Sequence, residues 1–226
     1  MASYITAFFC LSIGLERMSK LILVADYWIK NGSYPNNRFL KDTYSHDIAR
    51  LLDACEKLPS SVERPNSEIH HGITTTLSEF GKKTRYYNLD LICASPSGQP
   101  EPITIWWERV AKPILEKHYG NRKRQQHENI AQHVAQGMQP SIMAPFFAED
   151  GSEIDSIETL EFHYLETRVV QKYSSFYTYQ IVRWLAYLIA DYSHKVNDMQ
   201  EINEYFCLLQ NDDDSYIKRR KAWLTL

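Results

Sequence analysis

Residues 3–31 of the 226-residue chain read SYITAFFCLSIGLERMSKLILVADYWIKN, and they carry its strongest structural signal. Apolar side chains recur at three- and four-residue steps and cover most of a helical circumference. Polar side chains form one narrow stripe: Ser12, Glu16, Ser19 and Lys20. Because Ser3 suits an N-cap and Asn31-Gly32 suits a helix stop, the pattern predicts one long helix. A helix this apolar lies at the centre of a bundle or offers a second face to a partner subunit.

Helical periodicity continues along the chain, and the sequence therefore predicts an all-α fold. Further helices are expected at 37–58, 68–81, 102–120 with a kink at Pro113, 121–137, 157–196 with room for one break, and 202–209. Residues 84–94 look extended or irregular, and a short strand is expected within 142–147. The segment 95–102, SPSGQPEP, is typical of a linker. We therefore expect a helical core over 1–94 and a helical extension over 103–226 that packs on the same domain.

Composition limits the function classes. The formal net charge is −3 and the sequence pI is about 6.2, which argues against a uniformly basic nucleic-acid binder. The four cysteines are far apart, as in proteins of a reduced cytosol, and neither a leader nor a membrane-length apolar run is recognisable. We therefore expect a cytoplasmic protein without membrane contact. Phosphate-loop, dinucleotide-binding, serine-hydrolase and zinc motifs are missing from the sequence, so no metal or cofactor is expected.

Two short motifs in the first half pair opposite charges. Glu16 and Lys20 are four residues apart on the polar stripe of the first helix, an orientation that favours an ion pair, although the stripe could simply be solvated. His46-Asp47 could suggest a metal-dependent phosphohydrolase, but that site needs an earlier histidine, and none precedes His46. The interpretation we favour is a helix start, with His46 bonding across to the first helix.

A third motif combines cations with aromatic rings. Lys82, Lys83 and Arg85 are followed directly by Tyr86 and Tyr87. Guanidinium and tyrosine groups interleaved in this way can hold a phosphate and stack a base. The alternative is a basic loop anchored by buried tyrosines.

The order of these motifs over residues 1–90 resembles the HEPN family. Members of that family have a long first helix with an A-x-E-K-x-x-K-A-L-like pattern, then a Gly/Pro turn, an H-D-L-x-x-L-L helix and an (A/T)-R-Y-P segment. The corresponding residues here are Glu16 and Lys20, Gly32 and Pro35, His46-Asp47-Ile48 with Leu51-Leu52, and Thr84-Arg85-Tyr86. The chain departs from the pattern at Tyr87, which stands in the position of the proline.

The resemblance implies a helical bundle that forms a homodimer and is associated with RNA or nucleotides, in bacterial stress or phage defence. Some members of the family are metal-independent ribonucleases with an R-x(4–6)-H motif completed across the dimer. Others lack this motif and act as partners of nucleotidyltransferases or as non-catalytic modules. The resemblance therefore leaves catalysis open.

The residues Arg122 to His127 match the ribonuclease motif. Arginine would neutralise the phosphate, and histidine would act as general acid or base at the 2′-hydroxyl. Five helical steps separate the two side chains by about 140°, so a shared site needs Arg122 at a helix start. Lys123 also stands where ribonuclease members usually have Asn, Asp or His.

Two further groups are candidates for binding. The densest positive cluster before the C-terminal tail contains Lys117, His118, Arg122, Lys123, Arg124 and His127. Such a cluster can bind RNA locally in a slightly acidic protein, or it can be a solvated surface. Arg183, Asp191 and His194 lie along one stripe of the long late helix. This arrangement could belong to a site that spans a dimer, but the interpretation we favour is a buried polar network.

Three hypotheses follow from the sequence. The first is an RNA- or nucleotide-binding protein that uses Lys82, Lys83, Arg85, Tyr86, Lys123 and Arg124. The second is a ribonuclease that uses Arg122 and His127. The third is a protein-interaction scaffold without nucleotide chemistry.

Overall fold

A computed structural model of the chain describes residues 2–84, 93, 101–138, 146–196, 199–210 and 213–219. Across these ranges the protein is predominantly helical, so the all-α prediction is confirmed. The α-helices are α1 (Ala2–Asn31), α2 (Asn37–Tyr44), α3 (Ile48–Glu56), α4 (Glu68–Glu79), α5 (Pro102–Trp106), α6 (Lys112–His118), α7 (Asn121–Gly137), α8 (Ile157–Ser193), α9 (Ile202–Phe206) and α10 (Asp214–Arg219). Two π-helical turns, Phe80–Thr84 and Trp107–Ala111, extend α4 and join α5 to α6.

Helix α1 lies at the centre of the bundle, as its apolar circumference predicts. It packs against α3, α4 and α8, and its side chains Phe8, Leu15 and Ile22 are almost completely buried. The main hydrophobic cluster also contains Ile181 and Leu185 of α8. Helices before and after the 95–102 segment therefore share one core.

The expected helix at 37–58 is wrong, because the chain forms two helices there. Ser45 adopts a positive φ of 50°, which ends α2. Asp47 then caps α3, its side chain accepting a hydrogen bond from the Arg50 amide at 3.2 Å. An aspartate at an N-cap satisfies a backbone N–H that the first helical turn leaves unpaired.

The helix that begins at Pro102 is interrupted before Pro113 rather than at it. Pro113 occupies the first turn of α6, where proline is tolerated, and the irregularity is the π-helical turn Trp107–Ala111. This turn lies against Gly72 of α4, and a Cβ built at Gly72 would be 2.3 Å from the carbonyl oxygen of Arg109. Glycine therefore permits the close approach of α4 to the turn.

The second half of the chain is dominated by α8, which runs unbroken over 37 residues and ends three residues before the predicted boundary. Strands β1 (Phe146–Phe147) and β2 (Glu153–Ile154) form an antiparallel pair, with Phe146 opposite Ile154. The rest of the predicted strand, residues 85–92 and 94 of the predicted irregular segment, and residues 95–100 of the predicted linker lie outside the described residues. Within the described ranges, no helix combines the length and the apolarity that crossing a membrane would require.

Candidate functional site

The first turn of α7 carries Arg122, Lys123 and Arg124 and no acidic residue. Cations beside a helix N-terminus oppose the helix dipole, at a cost of roughly 0.3–1 kcal/mol each. The charges of Arg122 and Lys123 therefore do not serve the stability of the helix. Arg122 and Lys123 line an open concavity of about 480 Å³ together with Gly120, Asn121 and Gln126.

His118 lies at the end of α6, next to this turn. Its ring stacks on Tyr173 of α8 with a centroid distance of 3.8 Å and an interplanar angle of 5°. His118 Nε2 lies 2.8 Å from the hydroxyl oxygen of Tyr177. Burial, followed by the charges of Lys117 and Lys218, lowers the pKa of His118. The ring is therefore neutral at pH 7.

Lysines from three helices surround this stack. The ammonium group of Lys117 lies 5.5 Å from the ring centroid of Tyr177, that of Lys172 lies 5.6 Å from Tyr173, and that of Lys218 lies 4.7 Å from Phe176. Burial, followed by the charge of Lys172, lowers the pKa of Lys123, which links the first turn of α7 to the same cluster. We call the combined set the His118 surface; it consists of Lys117, His118, Arg122, Lys123, Lys172 and Lys218.

The cations of the His118 surface have no acidic partner among the residues that the structure describes. In the part of the chain that the structure describes, none of the five lysine and arginine side chains has a carboxylate oxygen within ion-pair distance. Like charges gathered without counter-charges repel one another. The surface is therefore an electropositive patch that an anionic ligand would stabilise.

The structure does not bring Arg122 and His127 to one point within the chain. His127 Nδ1 lies 3.0 Å from the hydroxyl oxygen of Tyr119, which is itself buried, whereas Arg122 lies in the concavity, whose lining does not include His127. Burial, followed by the charge of Lys123, lowers the pKa of His127. Arg122 does occupy the first turn of a helix, as the ribonuclease hypothesis requires. A site completed by two copies of the chain stays a prediction.

Lys82 contacts a structural carboxylate rather than an open surface. Its ammonium group donates to Asp47 at 2.7 Å, and Ser78 Oγ donates to the same carboxylate at 2.8 Å. Burial opposes ionisation of Asp47, but the hydrogen bonds from Lys82, the Arg50 amide and Ser78 outweigh it, and they lower the pKa of this residue. Lys82 therefore helps to hold the start of α3.

The other residues predicted to contact RNA are dispersed. Lys83 is exposed in the π-helical turn after α4, and Arg85 and Tyr86 lie outside the described residues. Arg124 lies 3.5 Å from Glu128 and 5.6 Å from the ring centroid of Phe162. Of the four predicted RNA-contacting residues that the structure describes, Lys123 is the one that lies on the His118 surface.

The predicted contact between His46 and the first helix is present. His46 Nδ1 donates to Glu16 at 3.0 Å, and Lys20 donates to the same carboxylate at 2.6 Å. Burial opposes ionisation of Glu16, but the hydrogen bonds from Lys20 and His46 lower its pKa. Glu16 thus joins α1 to the segment between α2 and α3.

The late polar stripe divides among several partners. Arg183 and Gln180 both donate to Asp214, at 2.6 and 2.8 Å, which fixes α10 to α8. Asp191 accepts a hydrogen bond from Ser60 at 3.3 Å, and His194 is the exposed C-cap of α8. These contacts connect helices and do not form one phosphate-binding point.

Sequence reasoning missed Lys172, Tyr173 and Lys218. Lys172 follows the basic cluster by almost fifty residues, and Lys218 belongs to the short last helix. The local sequence feature that could have indicated the site is the adjacent pair Lys172-Tyr173. Such a pair is equally typical of the edge of an amphipathic helix. Their membership of the surface depends on tertiary packing.

Among the described residues, no group of three or more His, Cys, Asp or Glu side chains is arranged to hold a metal ion. Comparisons with protein-family models, curated proteins and solved structures found no match.

Proposed function

We propose that the protein binds single-stranded RNA through the His118 surface. The observation that carries this proposal is the convergence of five cations from α6, α7, α8 and α10 around a stacked histidine–tyrosine pair, without carboxylate partners among the described residues. Ammonium and guanidinium groups neutralise backbone phosphates, and half-buried aromatic rings offer a face on which bases stack.

The spacing of these cations favours a polymer over a single nucleotide. The charges come from four helices, whereas a mononucleotide presents its phosphates at one point. The HEPN resemblance implies RNA or nucleotides as ligands, together with a homodimer and a partner protein such as a nucleotidyltransferase. Because the net charge of the chain is −3, the residues outside this patch carry a net negative charge, which disfavours RNA there.

Salt dependence of binding to a labelled single-stranded RNA oligonucleotide, measured by fluorescence anisotropy, tests the proposal. If all five cations meet phosphates, log Kd should change with log salt by about 3.5, since each contact with a single strand contributes about 0.7. Affinity should then fall roughly 100-fold between 50 and 200 mM salt. Absence of binding at low salt, or a binding constant independent of salt, would overturn the proposal.

A matched pair of variants locates the surface. Lys172→Gln combined with Lys218→Gln should reduce the slope by about 1.4, because two phosphate contacts are lost. The control, Lys41→Gln combined with Lys57→Gln, removes the same charge from exposed positions on α2 and at the end of α3. Equal losses in the two double variants would contradict the assignment to the His118 surface.

The same samples test the ribonuclease alternative, which the position of Arg122 in the first turn of α7 favours. Cleavage of total RNA in EDTA, abolished by His127→Ala with unchanged helical circular dichroism, would establish it. RNA that stays intact at high protein concentration would restrict the function to binding.

A further inference from the structure

A long groove runs between α1 and α8, on the side of α8 opposite the His118 surface. Its volume is about 770 Å³. The groove is lined by Ser174, Ser175 and Thr178, whereas the neighbouring residues Tyr173 and Tyr177 face His118. We call it the α1–α8 groove. It is separate from the proposed RNA-binding patch, so a ligand could occupy it whether or not the protein binds RNA.

The dimensions of the groove suit a single extended chain. Its lining extends along α8 from Tyr164 to Val182, a distance of about 27 Å at the rise of an α-helix. A volume of about 770 Å³ over that length corresponds to a mean cross-section of about 29 Å². A space of this length and mean width accommodates one extended alkyl chain.

Part of the groove lining is apolar. Phe8 and Leu11 of α1, together with Trp106 and Val170, contribute to it. Phe8, Trp106 and Val170 are also buried in the protein interior. Burial of methylene groups against these rings and branched side chains is favourable, because it removes apolar surface from water.

Two hydroxyl groups on the α8 side of the groove already have partners within the protein. Thr167 Oγ1 donates to the Tyr164 carbonyl oxygen at 2.7 Å, and Ser174 Oγ donates to the Gln171 carbonyl oxygen at 3.3 Å. Hydroxyl groups that bond back to their own helix need no hydrogen bond from a ligand. At these two positions the groove therefore accepts an apolar chain without leaving a donor unsatisfied.

The charges at one end of the groove are unequal. Glu149 accepts hydrogen bonds from Tyr4 at 3.1 Å and from His163 at 2.5 Å, so its carboxylate already has partners within the protein. The guanidinium of Arg168 lies 6.0 Å from the ring centroid of Tyr164. No carboxylate of the described residues lies within ion-pair distance of Arg168. This end of the groove therefore offers an unbalanced cation.

We propose that the α1–α8 groove binds a long-chain fatty acid, with the alkyl chain along Phe8 and Leu11 and the carboxylate on Arg168. The planar guanidinium matches a carboxylate with two parallel N–H···O hydrogen bonds. The chain supplies affinity by burial, and Arg168 sets its direction in the groove.

Isothermal titration calorimetry with octanoate, decanoate and dodecanoate, each below its micellar concentration, tests the chain-length requirement. Each added methylene should tighten Kd by about 4-fold, because burial of one such group contributes about 0.8 kcal/mol. Dodecylammonium should bind at least 10-fold more weakly than dodecanoate, since Arg168 repels it. Absence of saturable dodecanoate binding, a Kd independent of chain length, or equal binding of the ammonium analogue would each overturn the proposal.

Variants separate the contribution of the charge from that of the groove. Arg168→Gln should weaken dodecanoate by about 10-fold and leave dodecanol unchanged, because only the carboxylate uses the guanidinium. The control is Arg50→Gln. Arg50 is also exposed and also lies over a tyrosine ring, 5.8 Å from the ring centroid of Tyr44, but it is not part of the groove. Ala7→Trp, at an exposed position in the groove lining, should weaken dodecanoate and dodecanol alike. Equal effects of the two arginine variants, or an unchanged Kd in Ala7→Trp, would refute the assignment.

Discussion

The close approach of α4 to the π-helical turn Trp107–Ala111 can be tested by adding a single methyl group, in the variant Gly72→Ala. The new Cβ would lie 2.3 Å from the Arg109 carbonyl oxygen and 3.3 Å from Val110 Cγ2, whereas ordinary contact begins at 3.4 Å. The two backbones must therefore separate by about 1.1 Å, the difference between 3.4 and 2.3 Å. Val110 and Ala111 are fully buried, so this displacement disturbs the core.

The expected change in stability has two opposing contributions. Overpacking of a tight core typically costs about 1–3 kcal/mol. Replacing glycine by alanine inside a helix contributes about 0.5–1 kcal/mol of stabilisation. The net loss should be about 1–2 kcal/mol, which lowers the Tm of a domain of this size by roughly 2–8 °C.

Thermal unfolding followed by circular dichroism measures the loss, and Gly14→Ala provides the control. Gly14 is also inside a helix, but no described atom lies within 4 Å of its would-be Cβ, so this variant should be stabilised by about 0.5–1 kcal/mol. The opposite signs of the two changes are the signature of the close approach. A Gly72→Ala variant at least as stable as the wild type would refute the reasoning.

Two further predictions concern ionised groups. Glu149 raises the pKa of His163, so the stability from this contact is present below about pH 6.5 and is lost as the pH rises through the higher folded-state pKa. The free energy of unfolding, measured with urea, should therefore exceed that of His163→Gln by less at pH 8 than at pH 6. A difference between the two proteins that is the same at both pH values would contradict this. Asp47→Ala should cost about 1–2 kcal/mol by removing the cap of α3, whereas Asp42→Ala, at an exposed position on α2, should change stability by less than about 0.5 kcal/mol. Equal urea midpoints for these two variants would rule out the capping role.

The sequence predicts α1 and α8 well because their apolar periodicity is long and their ends carry recognisable caps, such as Ser156 before α8. It does not predict the break between α2 and α3, since Tyr44, Ile48 and Leu51 keep the helical spacing across it. What interrupts the helix is a local competition, in which the side chain of Asp47 satisfies a backbone amide at the start of α3.

The candidate site is predictable only in part, because basic residues adjacent in sequence are visible while those assembled by packing are not. Lys117, Arg122 and Lys123 stand close together in the chain, but Lys172 and Lys218 join them only once α8 and α10 pack. The pairing of Arg122 with His127 fails within the chain for a similar reason. The spacing of five residues does not predict the contact with Tyr119, whose hydroxyl oxygen lies 3.0 Å from His127 Nδ1.

The π-helical turn Trp107–Ala111 determines more than the local shape of a helix. Such a turn is one residue inserted into α-helical winding, and each helical residue rotates the chain by about 100°. Without that residue, α6 would be rotated by about 100° about its axis, and His118 would face away from Tyr173. The number of residues in this turn therefore sets the direction in which His118 points. The turn itself contributes no residue to the surface that we assign to RNA.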